Sequence, residues 1–511
     1  MIRLALLPLD DRPACRRLPA MIAGIAGAET LVPPAELLPA GRRAGDADRL
    51  AGWLADVAPG LDAVVASLET LGLGGLIPSR IGYEPVGDVL PRWAVLAEIT
   101  APLYAATVVQ RTPDADDGSE EPDYWAHHGR ALHAYSAALY ASRAATENSA
   151  VAEARDLSTA REKVPAELRR DFLRRRHRNH ILNQLALSMA ADGQLQTLVI
   201  GADDSAGTVV GAAEWRWLRS WVDWLECGDR VLAHPGADEI GSVLTARALA
   251  RAAGVRPRIA LACAEPDGLQ RTARYEPAPI AGGAASQIAA VGGILVEAPA
   301  EADLVEASAD ADLVLVVHPP QLTGYDWATA PPSDTDPDAA AATADLVTGL
   351  LARGHRVAVA DCALGNGADP GLVEALLSGD GYAPLLGFGA WNTAGNTIGG
   401  VLAQAVAYLA GEAAGTLDHL AHHRLLTHRL VEDHCYMSWA RPRVRAELGT
   451  DPTRHDSVPP GSAVPGRIEE LLATRLAELD RLAAVPWRVV PGSVSLPWSR
   501  TYEIDFELER R

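Results

Sequence analysis

Thr197-Leu198-Val199-Ile200-Gly201, running into Asp203-Asp204-Ser205, is the stretch on which the reading of this chain turns. A short, near-continuous apolar run is what a strand covered on both faces requires, and parallel sheets bury both faces. The acidic turn behind it stands where such a strand hands over to a helix. Ligands of parallel α/β folds bind there, beyond the carboxyl ends of the strands.

The same pattern recurs outward in both directions. Strands are expected at Arg3–Pro8, Ala63–Ser67, Ala105–Val109, Arg230–His234, Arg258–Ala262, Leu313–His318, Arg356–Ala360 and Leu385–Gly389, separated by Ala/Leu-rich stretches of helical period. The expected fold is therefore α/β, with parallel strands and crossover helices. A TIM-barrel-like closure over residues 1–415 is the first expectation, and two doubly wound domains split near residue 229 the alternative. From about Thr416 the alternation stops. Residues 416–511 are expected to be a helical subdomain closing with a terminal strand over Val494–Glu507.

Several segments carry bland readings. Trp217, Trp221 and Trp224 share a helical face and are expected to pack into a core. The basic stretch Arg169–Asn183 is expected to be a solvated face, and His419, His422, His423, His428 and His434 surface histidines. Thr112–Ser119, Ala330–Asp338 and Asp451–Gly466 read as loops or linkers.

Composition excludes some functions. Lys+Arg number 45 against 66 Asp+Glu, a formal net charge of −21, which disfavours nucleic acid and anionic membrane surfaces as partners. Five scattered cysteines with no C-x-x-C pair signal neither a disulfide framework nor a zinc knuckle. The N-terminus opens on a strand, and a cytoplasmic location is the expectation.

The chemistry is expected where polar residues follow strands. Asp203-Asp204 and Asp238-Glu239 each supply two adjacent carboxylates where a helix cap needs one, and crowded carboxylates shift each other's pKa. These four are the expected catalytic residues. Asp10, Asp11, Arg12, Arg80, Arg111, Asp361, Asn366, Asp369, Trp391, Asn392 and Asn396 are expected to bind substrate, Trp391 stacking on a sugar face and the amides pairing with hydroxyls. That pattern points to a hydrolase, foremost a glycosidase of a small sugar, N-acetylated ones included, needing no cofactor. A first alternative is a hydrolase or lyase using magnesium or manganese in a cage of Asp10, Asp11, Asp203, Asp204, His234 and Asp238. The second is a sugar- or metabolite-binding protein. Self-association into a homo-oligomer stays open.

Taken together, Leu9–Pro13, Gly74–Arg80, Asp203–Ser205, Gly236–Glu239, Asn366–Asp369, Trp391–Asn396 and Pro497–Glu503 resemble the motifs of an uncharacterised bacterial family, the domain of unknown function 4127, across nearly the whole chain. A fainter likeness, in layout only, is to barrel glycosidases acting on N-acetylhexosaminides. It implies that Asp203 positions the nucleophilic group and Asp204 is the general acid. The layout departs from those enzymes in lacking a Tyr after the next strand and in having more than eight strands.

Overall fold

A computed structural model describes residues 1–144, 149–203, 208–296, 310–332, 335–449, 451 and 453–511. All nine strands expected before residue 416 form: β1 (Arg3–Leu7), β3 (Ala63–Ser67), β4 (Leu103–Val109), β5 (Thr197–Ala202), β6 (Val231–Pro235), β7 (Arg258–Ala262), β9 (Leu313–His318), β10 (Val357–Asp361) and β11 (Gly387–Gly389). Two short strands join them, β2 (Glu29–Leu31) and β8 (Ile294–Val296). Neither has enough residues to show a period against its surroundings.

The strands assemble into two open sheets, not a barrel. One has the order β2-β1-β3-β4-β5-β6, the other β11-β10-β9-β7-β8. β1, β3, β4, β5 and β6 pair in parallel, as do β7 with β8 and β9, and β10 with β9 and β11. Counted from the first strand of each sheet, both orders begin 2-1-3-4-5, with a reversal between first and third strands. That reversal is the mark of doubly wound sheets, and it sets helices on both faces. The TIM-barrel expectation is thereby corrected. Closure needs the first and last strands to pair, and here both ends of each sheet are edges.

Two compact units follow from the contacts. The first comprises Arg3–Asp11 and Thr30–Gly241; the second comprises Met1–Ile2, Arg12–Glu29 and Ser242–Arg511. In the first unit, Ala5 and Leu7, Val64 and Ala66, Leu103 and Ala105, and Leu198 and Ile200 enter one core, while the alternate residues Leu4, Leu6, Val65, Tyr104 and Val199 are buried on the other face. In the second unit Val314, Val316, Val357 and Val359 do the same against Leu315, Val317, Ala358 and Ala360. Period-2 alternation with both phases apolar is what erases polar positions from these strands.

Residues 416–511 share that second core. Leu426, Leu430, Tyr436, Ile468, Leu472 and Phe506 pack in one cluster with β9 and β10, and helix Pro13–Ile25 joins through Ala14 and an Arg17–Asp505 ion pair at 2.9 Å. They are part of the second unit and not an appended body. The end of the chain also differs from expectation: β12 (Trp487–Val489) pairs antiparallel with β13 (Leu508–Arg510), and Val494–Glu507 is largely irregular. The run Leu430–Ala440 is π-helical. Such stretches are rare and gather at functional positions.

Three bland expectations are overturned. Trp217, Trp221 and Trp224 stand at the surface, 46%, 36% and 60% exposed, their rings packed edge to face on one another at 5.1–5.9 Å. Leu218 and Val222 supply the buried face of helix Val210–Trp224 instead. Trp224→Ala is expected to cost about 1 kcal/mol, the worth of an edge-to-face pair, against about 3–5 for a core tryptophan, as read from denaturant midpoints. The arginines Arg175, Arg176 and Arg178 are buried and bind carbonyls. His422, His428 and His434 are buried too, whereas His419 and His423 are exposed. Burial pushes the His422 imidazole down to about 4 and His434 down to about 3. These rings are neutral packing elements. Among the described residues none of the five joins a group spaced to hold a metal.

Candidate functional site

The carboxyl edge of the first sheet gathers several expected residues. After β3 the chain turns through Gly74 and Gly75, at φ +75° and +126°, where an added Cβ would meet Gly45 O at 2.7 Å and Pro39 Cβ at 2.6 Å. Only glycine fits. The turn launches the short helix Leu76–Ile81, whose Ser79 carbonyl is gripped by Arg178 and by Asn179 Nδ2, the latter at 3.0 Å. So held, Arg80 is buried and reaches four partners. Its Nε donates to Gln110 Oε1 at 3.1 Å, Nη1 lies 3.3 Å from Glu120 and 3.4 Å from Glu121, and Nη2 pairs with Asp203 Oδ2. Arg111 bridges the same two glutamates, at 2.9 Å and 3.0 Å.

Arg80, Arg111 and Asp203, expected from sequence, thus come together. Glu120 and Glu121 complete the network, although Glu120-Glu121-Pro122 reads in sequence as a plain helix start. With both guanidiniums shared among carboxylates, Asp203 anchors Arg80. Asp204 and Ser205 lie outside the described residues.

The turn after β6 folds back over β5, joined by an Ala202–Gly236 bridge. Gly236 is at φ +109°, and a Cβ there would strike Glu239 Oε1 at 2.3 Å. Glu239 is buried beneath the turn, 3.6 Å from His234 Nδ1, which also lies 2.9 Å from Pro235 O; burial lowers that imidazole's pKa. Asp238 points elsewhere. One of its carboxylate oxygens and one of Asp10's lie within 4.8 Å. Among the described residues no other member of the expected metal cage meets that spacing with both.

Behind this edge sits a residue the sequence reading passed over. Glu69 is buried and accepts from Val108 N at 2.6 Å, and its Oε1 lies 3.0 Å from Thr107 Oγ1. Thr107 Oγ1 is in turn 2.6 Å from Asn183 Oδ1. One hydroxyl proton cannot serve both acceptors, and a protonated Glu69 resolves this by donating to Thr107. Burial pushes its carboxyl up to about 7. In sequence it stands as a lone acid after a strand, like any helix cap.

The second unit holds the remaining expected residues. Asp361, at the end of β10, is buried and accepts from Asp369 N at 2.6 Å and Ala363 N at 3.2 Å, with its pKa raised by burial. Asp369 caps helix Pro370–Ser378 through Gly371 N at 2.8 Å and lies 3.3 Å from His318 Nε2. Burial opposes a charge on His318, yet the neighbouring Asp369 and Asp361 outweigh it and raise its pKa. Asp361 and Asp369 therefore serve the interior of this unit.

Asn366 and Asn392 both adopt left-handed φ, +58° and +65°, which asparagine tolerates. Their turns are tied by Asn366 N to Asn392 O at 3.0 Å, and the Tyr502 hydroxyl sits 2.7 Å from one side-chain amide and 3.0 Å from the other. Asp326 accepts from Asn366 Nδ2 at 3.0 Å and from the Tyr275 hydroxyl at 2.6 Å. Three of the quoted motifs thus meet: Asn366–Asp369, Trp391–Asn396 and Pro497–Glu503. Trp391 and Asn396 are buried, the former in the hydrophobic core. Thr393 caps helix Ala394–Ala414. Arg12 stacks over Trp498 at 4.8 Å, 4.0 Å from Glu503.

Beyond the carboxyl ends of β7, β9, β10 and β11 the second unit opens into a cleft of about 360 Å³. Asn392 is the one expected residue in its wall. Arg271, Arg274, Gln321 and Tyr325 also line it, from loops whose sequence shows neither paired acids nor clustered glycines. No signal of the kind used above marks them.

The expected residues therefore fall in two sets: Asp10, Asp11, Arg80, Arg111, Asp203, Asp238 and Glu239 in the first unit, and Arg12, Asp361, Asn366, Asp369, Trp391, Asn392 and Asn396 in the second. Among the described residues, no helix is long and apolar enough to cross a membrane. None of the curated proteins and none of the solved structures compared matches the chain. A family model described as protein of unknown function (DUF4127) matches residues 4–507, and the chain belongs to that family.

Proposed function

We propose that the protein is a carboxylate-based hydrolase, with a small glycoside as substrate class, and that Asp10 and Asp238 are its working pair. The observation that carries this is their approach to within 4.8 Å on the carboxyl edge of the first sheet. Retaining glycosidases set their acid and nucleophile about 5–5.5 Å apart, close enough for one to attack while the other protonates the leaving oxygen. Asp10 is buried and Asp238 half-buried, so both stand at the edge of the sheet without full exposure to solvent. Arg80, anchored by Asp203, keeps the neighbouring turns in register. The free state of all five buried cysteines supports a reducing, cytoplasmic setting.

The test is turnover of a panel of aryl glycosides, N-acetylhexosaminides included, by the full chain in the presence of a chelator. Asp238→Asn and Asp10→Asn are each expected to lose about 100-fold or more in kcat with unchanged circular dichroism. A variant working at the wild-type rate, or a wild type inert on the whole panel, sinks the proposal. The same two carboxylates also suit a divalent cation, the second reading. In that case the chelator abolishes activity and magnesium or manganese restores it.

A further inference from the structure

We propose that the cleft of the second unit is a binding site for a small oxyanion-bearing ligand, a carboxylate or phosphate compound, with Arg274 as its recognition residue. This stands independently of the hydrolase reading, which concerns the first unit.

The charge of the wall carries the argument. In a chain with 66 acidic residues against 45 basic ones, a lining of average composition would hold more acids than bases. Among the described residues that line it, none is Asp or Glu and two are arginines, Arg271 and Arg274. The two differ in how they are held. Arg271 pairs with Glu265 and donates to Pro320 O at 3.2 Å, so its charge is answered within the fold. Arg274 donates to Gly324 O at 3.1 Å and lies 5.1 Å from the Tyr275 ring; among the described residues no carboxylate pairs with it. Its guanidinium keeps donors for a planar oxyanion, which the forked geometry of arginine matches.

The remainder of the wall fits a polar ligand. Tyr325, Asn392 and Thr393 contribute hydroxyl and amide groups, and Thr393 brings the N-terminus of the 21-residue helix Ala394–Ala414 to the cleft. Glu276 holds its carboxylate on Gly395 N, at 2.8 Å, in the first turn of that helix. Loops following four strands that are neighbours in the sheet frame the cleft, the place where open α/β sheets take up small molecules. A volume of about 360 Å³ suits a small metabolite.

The experiment is calorimetric titration of the full chain with inorganic phosphate, with malonate and, as a neutral probe, with glucose, for wild type and Arg274→Gln. Arg274 is exposed, so the variant is expected to melt as the wild type does. The expected result is saturable binding of at least one oxyanion, weakened about tenfold by Arg274→Gln and by added salt, and no binding of glucose. Binding of phosphate alone assigns a phosphorylated ligand, and of malonate alone a carboxylate. Binding of neither oxyanion, equal binding by the variant, or glucose binding as tightly as either anion overturns the proposal.

Discussion

Replacing Arg429 by methionine is expected to cost the second unit about 3–5 kcal/mol of stability, the penalty for leaving buried charge uncompensated. Arg429 is enclosed at the head of the π-helical run. Its Nη1 donates to Glu432 at 2.7 Å, and Nη2 and Nε, the latter at 3.3 Å, hold Asp433. Asp433 in turn accepts from Ala390 N at 2.8 Å, so the guanidinium fixes the end of β11 where the Trp391–Asn392 turn begins. Burial already pushes the Glu432 carboxyl up to about 7 despite the arginine, and raises Asp433 as well. Without Arg429 both would have to take up protons or water. Arg429→Lys should not rescue, since one ammonium cannot span two carboxylates in the forked geometry. Denaturant titration gives the cost, and hydrogen exchange at Gly389–Asn392 shows whether β11 loosens. A loss below about 1 kcal/mol, the scale of a surface pair, would sink the account.

Glu69→Gln should change how the first unit responds to pH. The carboxyl titrates near 4.5 when solvated and near 7 in the fold, because burial outweighs its hydrogen bonds with Val108, Thr107 and Ser67. The small cavity of about 10 Å³ beside it has no cationic lining to offset that, and holds one water at most. Between these two values the folded state keeps a proton that the unfolded chain has released. Stability therefore falls as pH rises from about 4.5 to about 7, and levels off above. The shift corresponds to about 3 kcal/mol. Glutamine carries no charge at any pH and is close in shape. The difference between variant and wild type should grow by about that amount between pH 4.5 and 8, in favour of the variant. Midpoints of urea denaturation across that range measure it. A pH-independent difference would show that Glu69 is not protonated in the fold.

These two residues also mark where sequence reading stops. Glu69 is one acid after one strand, and Arg429 is one basic residue in a polar helix; nothing local distinguishes either from a solvated neighbour. Their weight comes from burial, which depends on what the rest of the chain lays over them. The same limit explains the histidines and the tryptophans. His428 sits in a helix with polar neighbours yet stacks on Phe506 at 4.3 Å, while Trp217, Trp221 and Trp224 share a periodic face that nothing in their own unit is shown to cover.

What the chain determined locally is considerable. Runs such as Leu313–His318 and Thr197–Ala202 declare strands because both alternating phases are apolar, and the acidic and glycine-rich turns follow them because helices must be capped and chains must reverse. Residue type, turn chemistry and the family motifs are all properties of neighbours in sequence. Strand order is not. Whether nine such strands close into one barrel or lie in two sheets depends on which strands pair, and hydrogen-bonded neighbours such as β7 and β9 are separated in the chain by residues 263–312. The same holds for the expected site. Asp203 met Arg80 across 123 residues, and Asp10 met Asp238 from opposite ends of one unit, whereas Asp361 and Trp391 went to the other. Local free energies choose the elements; only the burial of each sheet's two faces chooses which turns share an edge.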